Sequence, residues 1–134
     1  KEGKNQNSKR NIFLADPLNN GLERKYDFII SSGVHNTKIS DNLKFIEKTF
    51  SLFDSHAKKG FAINFLSNKC DYFDENLYYA DPSIIIKMAM KFSQKILLRH
   101  DYMPYEFTII VHKNYSIEPE INIFSDSINL MWFE

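Results

Sequence analysis

Cysteine is nearly absent. Cys70 stands alone among 134 residues, so no internal disulfide can staple the fold, which suits a reducing compartment. Neither sign of charge dominates, with 17 Lys and Arg against 17 Asp and Glu. A chain without a basic excess carries no electrostatic footprint for nucleic acid, and no basic amphipathic stretch marks a membrane surface. No apolar run approaches the roughly 20 residues that a membrane-crossing helix needs. Glycine is scarce: Gly3, Gly21, Gly33 and Gly60 are the full set, and no two are close enough to build a G-x-G turn. No His/Cys/Asp/Glu spacing reads as a metal site, and Cys70 has no partner that would make it a nucleophile. The expectation is a cytoplasmic protein with neither nucleic acid nor membrane as partner. The sequon Asn114-Tyr115-Ser116 comes without a signal peptide and reads as a chance match.

Aromatics are abundant, with 12 Phe and 7 Tyr. The length suits one domain burying roughly two-thirds of its unfolded surface. The chain opens on Lys1, without an initiator Met, and residues 1–10 are polar. That lead-in reads as the end of a helix or a linker, and the chain as a piece of a longer polypeptide, although Met removal or processing would look the same.

Local patterns give an order of strand, strand, helix, strand, helix, strand, strand. Residues 11–15 form a short apolar run ending at Asp16-Pro17, and Asn19-Asn20-Gly21 marks a loop. A strand at 26–31 carries Phe28-Ile29-Ile30 and stops at Ser31-Ser32-Gly33. Ser40 or Asp41 caps a helix over 41–56 whose face carries Leu43, Ile46, Phe50 and Phe53, and Lys58-Lys59-Gly60 ends it. The strand at 61–66 is almost continuously apolar, which predicts cover on both faces. Asp81-Pro82 opens a second helix over 83–93, with Ile84, Ile85, Met88 and Phe92 in the core. Strands at 95–99 and 106–111 follow and are expected to form an antiparallel terminal pair. Three apolar strands therefore run into polar ends carrying His35, Asn64 and His100. In open α/β sheets such ends are where ligands bind.

Taken together, Tyr26-Asp27-Phe28-Ile29-Ile30-Ser31-Ser32-Gly33, Lys59-Gly60-Phe61-Ala62-Ile63-Asn64-Phe65-Leu66, Leu77-Tyr78-Tyr79-Ala80-Asp81-Pro82 and Arg99-His100-Asp101-Tyr102 with Glu106-Phe107-Thr108 carry a resemblance. Their order resembles the carboxyl-terminal half of class I S-adenosylmethionine-dependent methyltransferases, over residues 11–113. The resemblance implies an α/β, Rossmann-like sheet of order 3-2-1-4-5-7-6, mainly parallel with an antiparallel last strand. This chain would supply strands three to seven, and the first two would be missing. Residues 114–134 form an extension beyond the resemblance. Its apolar end, Leu130-Met131-Trp132-Phe133, must pack somewhere or form a contact surface. The family's glycine-rich turn and the acidic residue that holds the ribose are absent from this sequence.

The implied activity is methyl transfer from S-adenosylmethionine to a small or carbohydrate-like acceptor, once an amino-terminal half completes the cofactor site. The rival is a non-catalytic interaction or regulatory module that retains half of the fold. The open strand at 26–31 is expected to be covered by that missing half or by a self-associating copy. Asp16 falls where the family places a carboxylate for the adenine amino group, or it is a turn residue before Pro17. Ser32, Gly33 and Val34 would line the methionine side, or form an ordinary strand-ending turn. His35 and His100 would serve as bases if the acceptor must lose a proton, or be hydrogen-bonded structural residues. Asn64, Tyr78, Tyr79, Asp101 and Tyr102 would contact the acceptor.

Overall fold

The computed structural model describes residues 16–113. The expected strand at 11–15, the lead-in 1–10 and the extension 114–134 lie outside the described residues. The described residues begin with a one-turn helix α1 (Pro17–Asn20) where a loop was expected. Asp16 caps it and Pro17 occupies the first turn, a pairing that favours helix initiation. Then follow β1 (Tyr26–Ser31), α2 (Asn42–His56), β2 (Ala57–Leu66), α3 (Pro82–Ala89), β3 (Ile96–Met103) and β4 (Glu106–His112).

The four strands form one sheet in the order β1-β2-β4-β3. β1 and β2 are parallel, and β4 runs antiparallel to both β2 and β3. The last strand in sequence thus slots between its two predecessors, as expected.

Both longer helices cover the same face. Phe61, Ile63 and Phe65 of β2 and Phe107, Ile109 and Val111 of β4 point inward, as strand alternation requires. They meet Ile46, Phe50 and Phe53 of α2 and Ile85, Met88 and Ala89 of α3 in one core. Two helical residues expected in that core are instead exposed, Leu43 and Ile84. The buried stripe of α2 runs through Asn42, Ile46, Thr49, Phe50 and Phe53, so Leu43 falls beside it. Asn42 takes the inward position because its amide ties down the preceding loop, donating to Thr37 O at 2.8 Å and accepting from Ile39 N at 3.0 Å. Helix α3 ends at Ala89, short of 93, and Phe92 packs against the core from the turn beyond.

The opposite face differs from expectation. No described helix covers it, and Phe28, Ile30 and Leu97 stand exposed there. Ala62 and Ile110, on the same face, line a shallow apolar groove of about 200 Å³ with Phe28 and Ile30.

Gly60 also has a different role from the one its neighbourhood suggested. Helix α2 passes into β2 at Ala57, so Gly60 is a strand residue opposite His112. A Cβ at this position would lie 2.5 Å from the Val111 carbonyl oxygen. The close strand approach, and not helix termination, demands glycine here. Gly60→Ala should therefore lower stability by about 2 kcal/mol through overpacking against rigid backbone. Urea denaturation checks this, and an unchanged midpoint would show that the strands separate freely.

Candidate functional site

Strand β1 delivers its carboxyl end into the turn Ser32–Asn36. Gly33 has φ +74°, a left-handed conformation that favours glycine. No described residue lies within 4 Å of a Cβ built on Gly33, so among the described residues the space beside this turn is open. Asp16, Ser32 and Val34, three residues expected at the cofactor, line one cavity of about 650 Å³ together with His35. Its remaining wall is mainly apolar, from Leu18, Leu22, Ile29, Phe45, Leu52 and Phe53. Both carboxylate oxygens of Asp16 already accept bonds from Asn19, one from the backbone N–H at 3.2 Å and one from the side-chain amide at 2.8 Å.

His35 is 1 % exposed. Its ring packs against Phe45 and Phe65 with centroids 5.2 and 5.3 Å away. The Thr49 hydroxyl donates to Phe45 O at 3.0 Å, so its oxygen accepts from His35 Nε2 at 3.1 Å. This network assigns the proton to Nε2 and leaves Nδ1 as a buried acceptor without a partner among the described residues. Burial pushes the imidazole pKa down to about 4, so the ring is neutral near pH 7.

His35 and His100 do not meet. From His35 the row of rings continues through Phe65, stacked on Phe107 at 5.3 Å, to His100, which meets Phe107 edge-on at 5.9 Å. Two phenylalanines thus separate the histidines on the helix-covered side of the sheet. His100 is half-buried and lines a separate open depression of about 370 Å³ with Asp101, Tyr102, Met103 and Pro104.

The expected acceptor residues fall into two groups. Asn64 and Tyr102 come together on the helix-free side: the Asn64 amide donates to Tyr102 OH at 2.8 Å and to Glu106 Oε2 at 3.0 Å. Tyr102 OH also pairs with Thr108 Oγ1 at 2.6 Å. Asp101 is held by Arg99 through bonds of 2.6 and 2.9 Å, which lower its carboxyl pKa. Tyr78 and Tyr79 belong to the loop after β2. Tyr78 packs on the core, and burial first, then Asp41 and Asp81, raises its phenol pKa. Tyr79 OH accepts from Asp74 N at 3.0 Å, and its ring meets Phe73 edge-on at 4.8 Å.

Asn36 and Thr49 organise the site without having been singled out as site residues. The Asn36 side-chain oxygen accepts from Leu66 N at 3.1 Å, and its carbonyl accepts from Tyr78 N at 2.9 Å. One residue thereby ties the β1 turn to the end of β2 and to the following loop. Thr49 could have been noticed as a polar residue in register with Ile46, Phe50 and Phe53; Asn36 leaves no such local trace. Among the described residues no cluster of His, Cys, Asp or Glu could hold a metal ion.

The strand order seen here equals positions four, five, seven and six of the sheet that the resemblance implied. The magnesium protoporphyrin IX methyltransferase of Synechocystis PCC 6803 superposes on 74 % of this chain and 49 % of its own in the structure with bound SAH, with TM-score 0.56 and 13 % identity. The structure of the same enzyme with bound SAM matches 72 % of this chain and 42 % of its own, with TM-score 0.51 and 15 % identity. The fold is that of a class I methyltransferase. Within this methyltransferase fold the described residues supply four strands of the sheet. In sequence the chain is 31 % identical over 99 residues to "Putative methyltransferase Rv1506c" of Mycobacterium tuberculosis (strain ATCC 25618 / H37Rv). That match covers 69 % of this chain and 60 % of the relative, so the chain spans less than two-thirds of that protein's length. No family model matches the chain.

Proposed function

We propose that this chain takes part in S-adenosylmethionine-dependent methyl transfer to a small or carbohydrate-like acceptor in the cytoplasm. In this reading an amino-terminal half supplies the glycine-rich turn and completes the cofactor site. The observation that carries the reading is the 31 % identity over 99 residues to a methyltransferase-named relative. The convergence of Asp16, Ser32 and Val34 on one cavity, beside open space at Gly33, supports cofactor binding there. The cofactor would supply an activated methyl group on a sulfonium that is itself a good leaving group.

This chain's residues would do the positioning, which supplies much of the catalysis in a direct displacement. His35, neutral and tied to Thr49, would hold the β1 turn on α2 instead of taking a proton. His100, facing an open depression, would accept a proton where the acceptor must lose one. Asn64, Tyr102 and Asp101 on one side, and Tyr78 and Tyr79 on the other, would frame the acceptor. No described strand pairs with the outer edge of β1, which supports docking of the completing half at that edge. Among the described residues no helix is long and apolar enough to cross a membrane.

Calorimetric titration tests the proposal. The chain of 134 residues should give no saturable heat with micromolar S-adenosylmethionine, whereas the longer product containing it should bind. Gly33→Asn tolerates the positive φ but places a side chain in the open space, and should weaken that binding about tenfold. Saturable binding by the chain alone would show that no further half is needed. Unchanged affinity in the variant would remove Gly33 from the site. A longer product that binds no cofactor would favour a non-catalytic module.

A further inference from the structure

The side-chain alternation of β3 breaks at its polar end. Ile96 and Leu98 pack against the core, and Leu97 stands exposed on the helix-free side. His100 keeps this alternation, meeting Phe107 edge-on at 5.9 Å on the helix-covered side. Two residues further on, Tyr102 should point the same way. Its hydroxyl lies instead on the helix-free side, 2.8 Å from the Asn64 amide and 2.6 Å from Thr108 Oγ1.

The register accounts for the crossing. Arg99 pairs with Thr108 and Met103 with Glu106, so His100, Asp101 and Tyr102 stand opposite Phe107 alone. These residues form a bulge, which bends the strand, re-aims side chains and leaves the extra backbone groups without ladder partners. Side-chain bonds must then hold its shape. Tyr102 reaches across β4 to β2, and three strands meet at its oxygen. Asn64 is 9 % exposed and gives its other amide hydrogen to Glu106 at 3.0 Å, so both its N–H donors are used. If Tyr102 returned to the helix-covered side, one of these buried donors would lose its acceptor, a costly outcome. Arg99 grips Asp101 through bonds of 2.6 and 2.9 Å and closes the bulge from its start.

We propose that Tyr102, Asn64 and Thr108 are positioning residues that lock the β3 bulge and so hold His100 at its depression. This rests on the reading above in which His100 accepts the acceptor's proton, and it deepens that reading. Proton transfer requires heavy atoms within about 2.6–3.2 Å, so a bulge that shifted between conformers would take His100 out of reach.

Nuclear magnetic resonance of the chain tests the lock. In the native chain the backbone amides of 100–102 should show order parameters near about 0.85, and the His100 and Phe107 rings should share a nuclear Overhauser effect. Tyr102→Phe keeps the ring and removes the oxygen. It should lower those order parameters below about 0.6 and lose the ring-to-ring signal. Thr108→Val should loosen the bulge in the same direction, whereas Thr108→Ser, which keeps the hydroxyl, should leave it ordered. An ordered bulge in Tyr102→Phe overturns the proposal, even where the urea midpoint falls, because the network would then serve stability alone. So does a Thr108→Ser that loosens the bulge as much as Thr108→Val, or a bulge already below about 0.6 in the native chain. No cofactor or acceptor enters these measurements, so their outcome is separate from that of the cofactor titration.

Discussion

Phe50→Ala should remove about 4 kcal/mol of stability, a large share of the roughly 5–15 kcal/mol that holds a domain folded. Phe50 is fully buried on α2, edge-on to Phe61 at 5.5 Å and tilted against Phe92 at 5.7 Å. It joins the helix to β2 and to the turn after α3, so truncation opens a cavity that none of the three can close alone. Urea denaturation followed by circular dichroism gives the comparison, and the midpoint should fall steeply with little change in slope. Leu43→Ala on the same helix is the control. That side chain is exposed, so its loss should stay within about 0.5 kcal/mol. If the two substitutions cost the same, α2 does not present the face described here.

Acid should destabilise the protein through His35. Its folded pKa is depressed to about 4, against 6.5 for an unhindered imidazole. As pH falls below 6.5 the unfolded chain binds a proton that the folded chain refuses, so stability drops through this window. The loss is complete below pH 4 and amounts to about 3 kcal/mol, at about 1.4 kcal/mol per pH unit. Above pH 6.5 the group is neutral in both states and contributes no slope. Denaturation midpoints at several pH values, for the native chain and His35→Gln, isolate this contribution from other titrating groups. The variant should be weaker at pH 7, having lost the ring packing, yet show a flatter acid limb. Parallel profiles would mean that the buried imidazole accepts its proton in place.

Much of the architecture was legible because local chemistry and tertiary structure agree. The apolar run Phe28-Ile29-Ile30 marked β1, Asp81-Pro82 marked the start of α3, and the inward stripe of α2 followed from Ile46, Phe50 and Phe53. What was misread concerned residues whose burial is set by distant neighbours. Leu43 and Ile84 have core chemistry but lie off the faces that dock. Gly60 was legible as a breaker, yet the carbonyl that forbids a side chain there belongs to Val111, far along the chain. Cover on both faces of β2 was inferred from continuous hydrophobicity, and the described helices cover one. The proximity of Asp16, Ser32 and Val34 could be expected from strand-end logic. The separation of His35 from His100 by two phenylalanine rings could not.

By itself the sequence determined the element types, the turn chemistry and the placement of polar groups at strand ends, because propensity, capping and hydrophobic period act over a few residues. Only the tertiary structure decided that Asn36 ties two strand ends to a loop, and that His35 is buried without charge. Those outcomes depend on groups distant in sequence that share a hydrogen bond or exclude water, and no local pattern records which distant group will arrive.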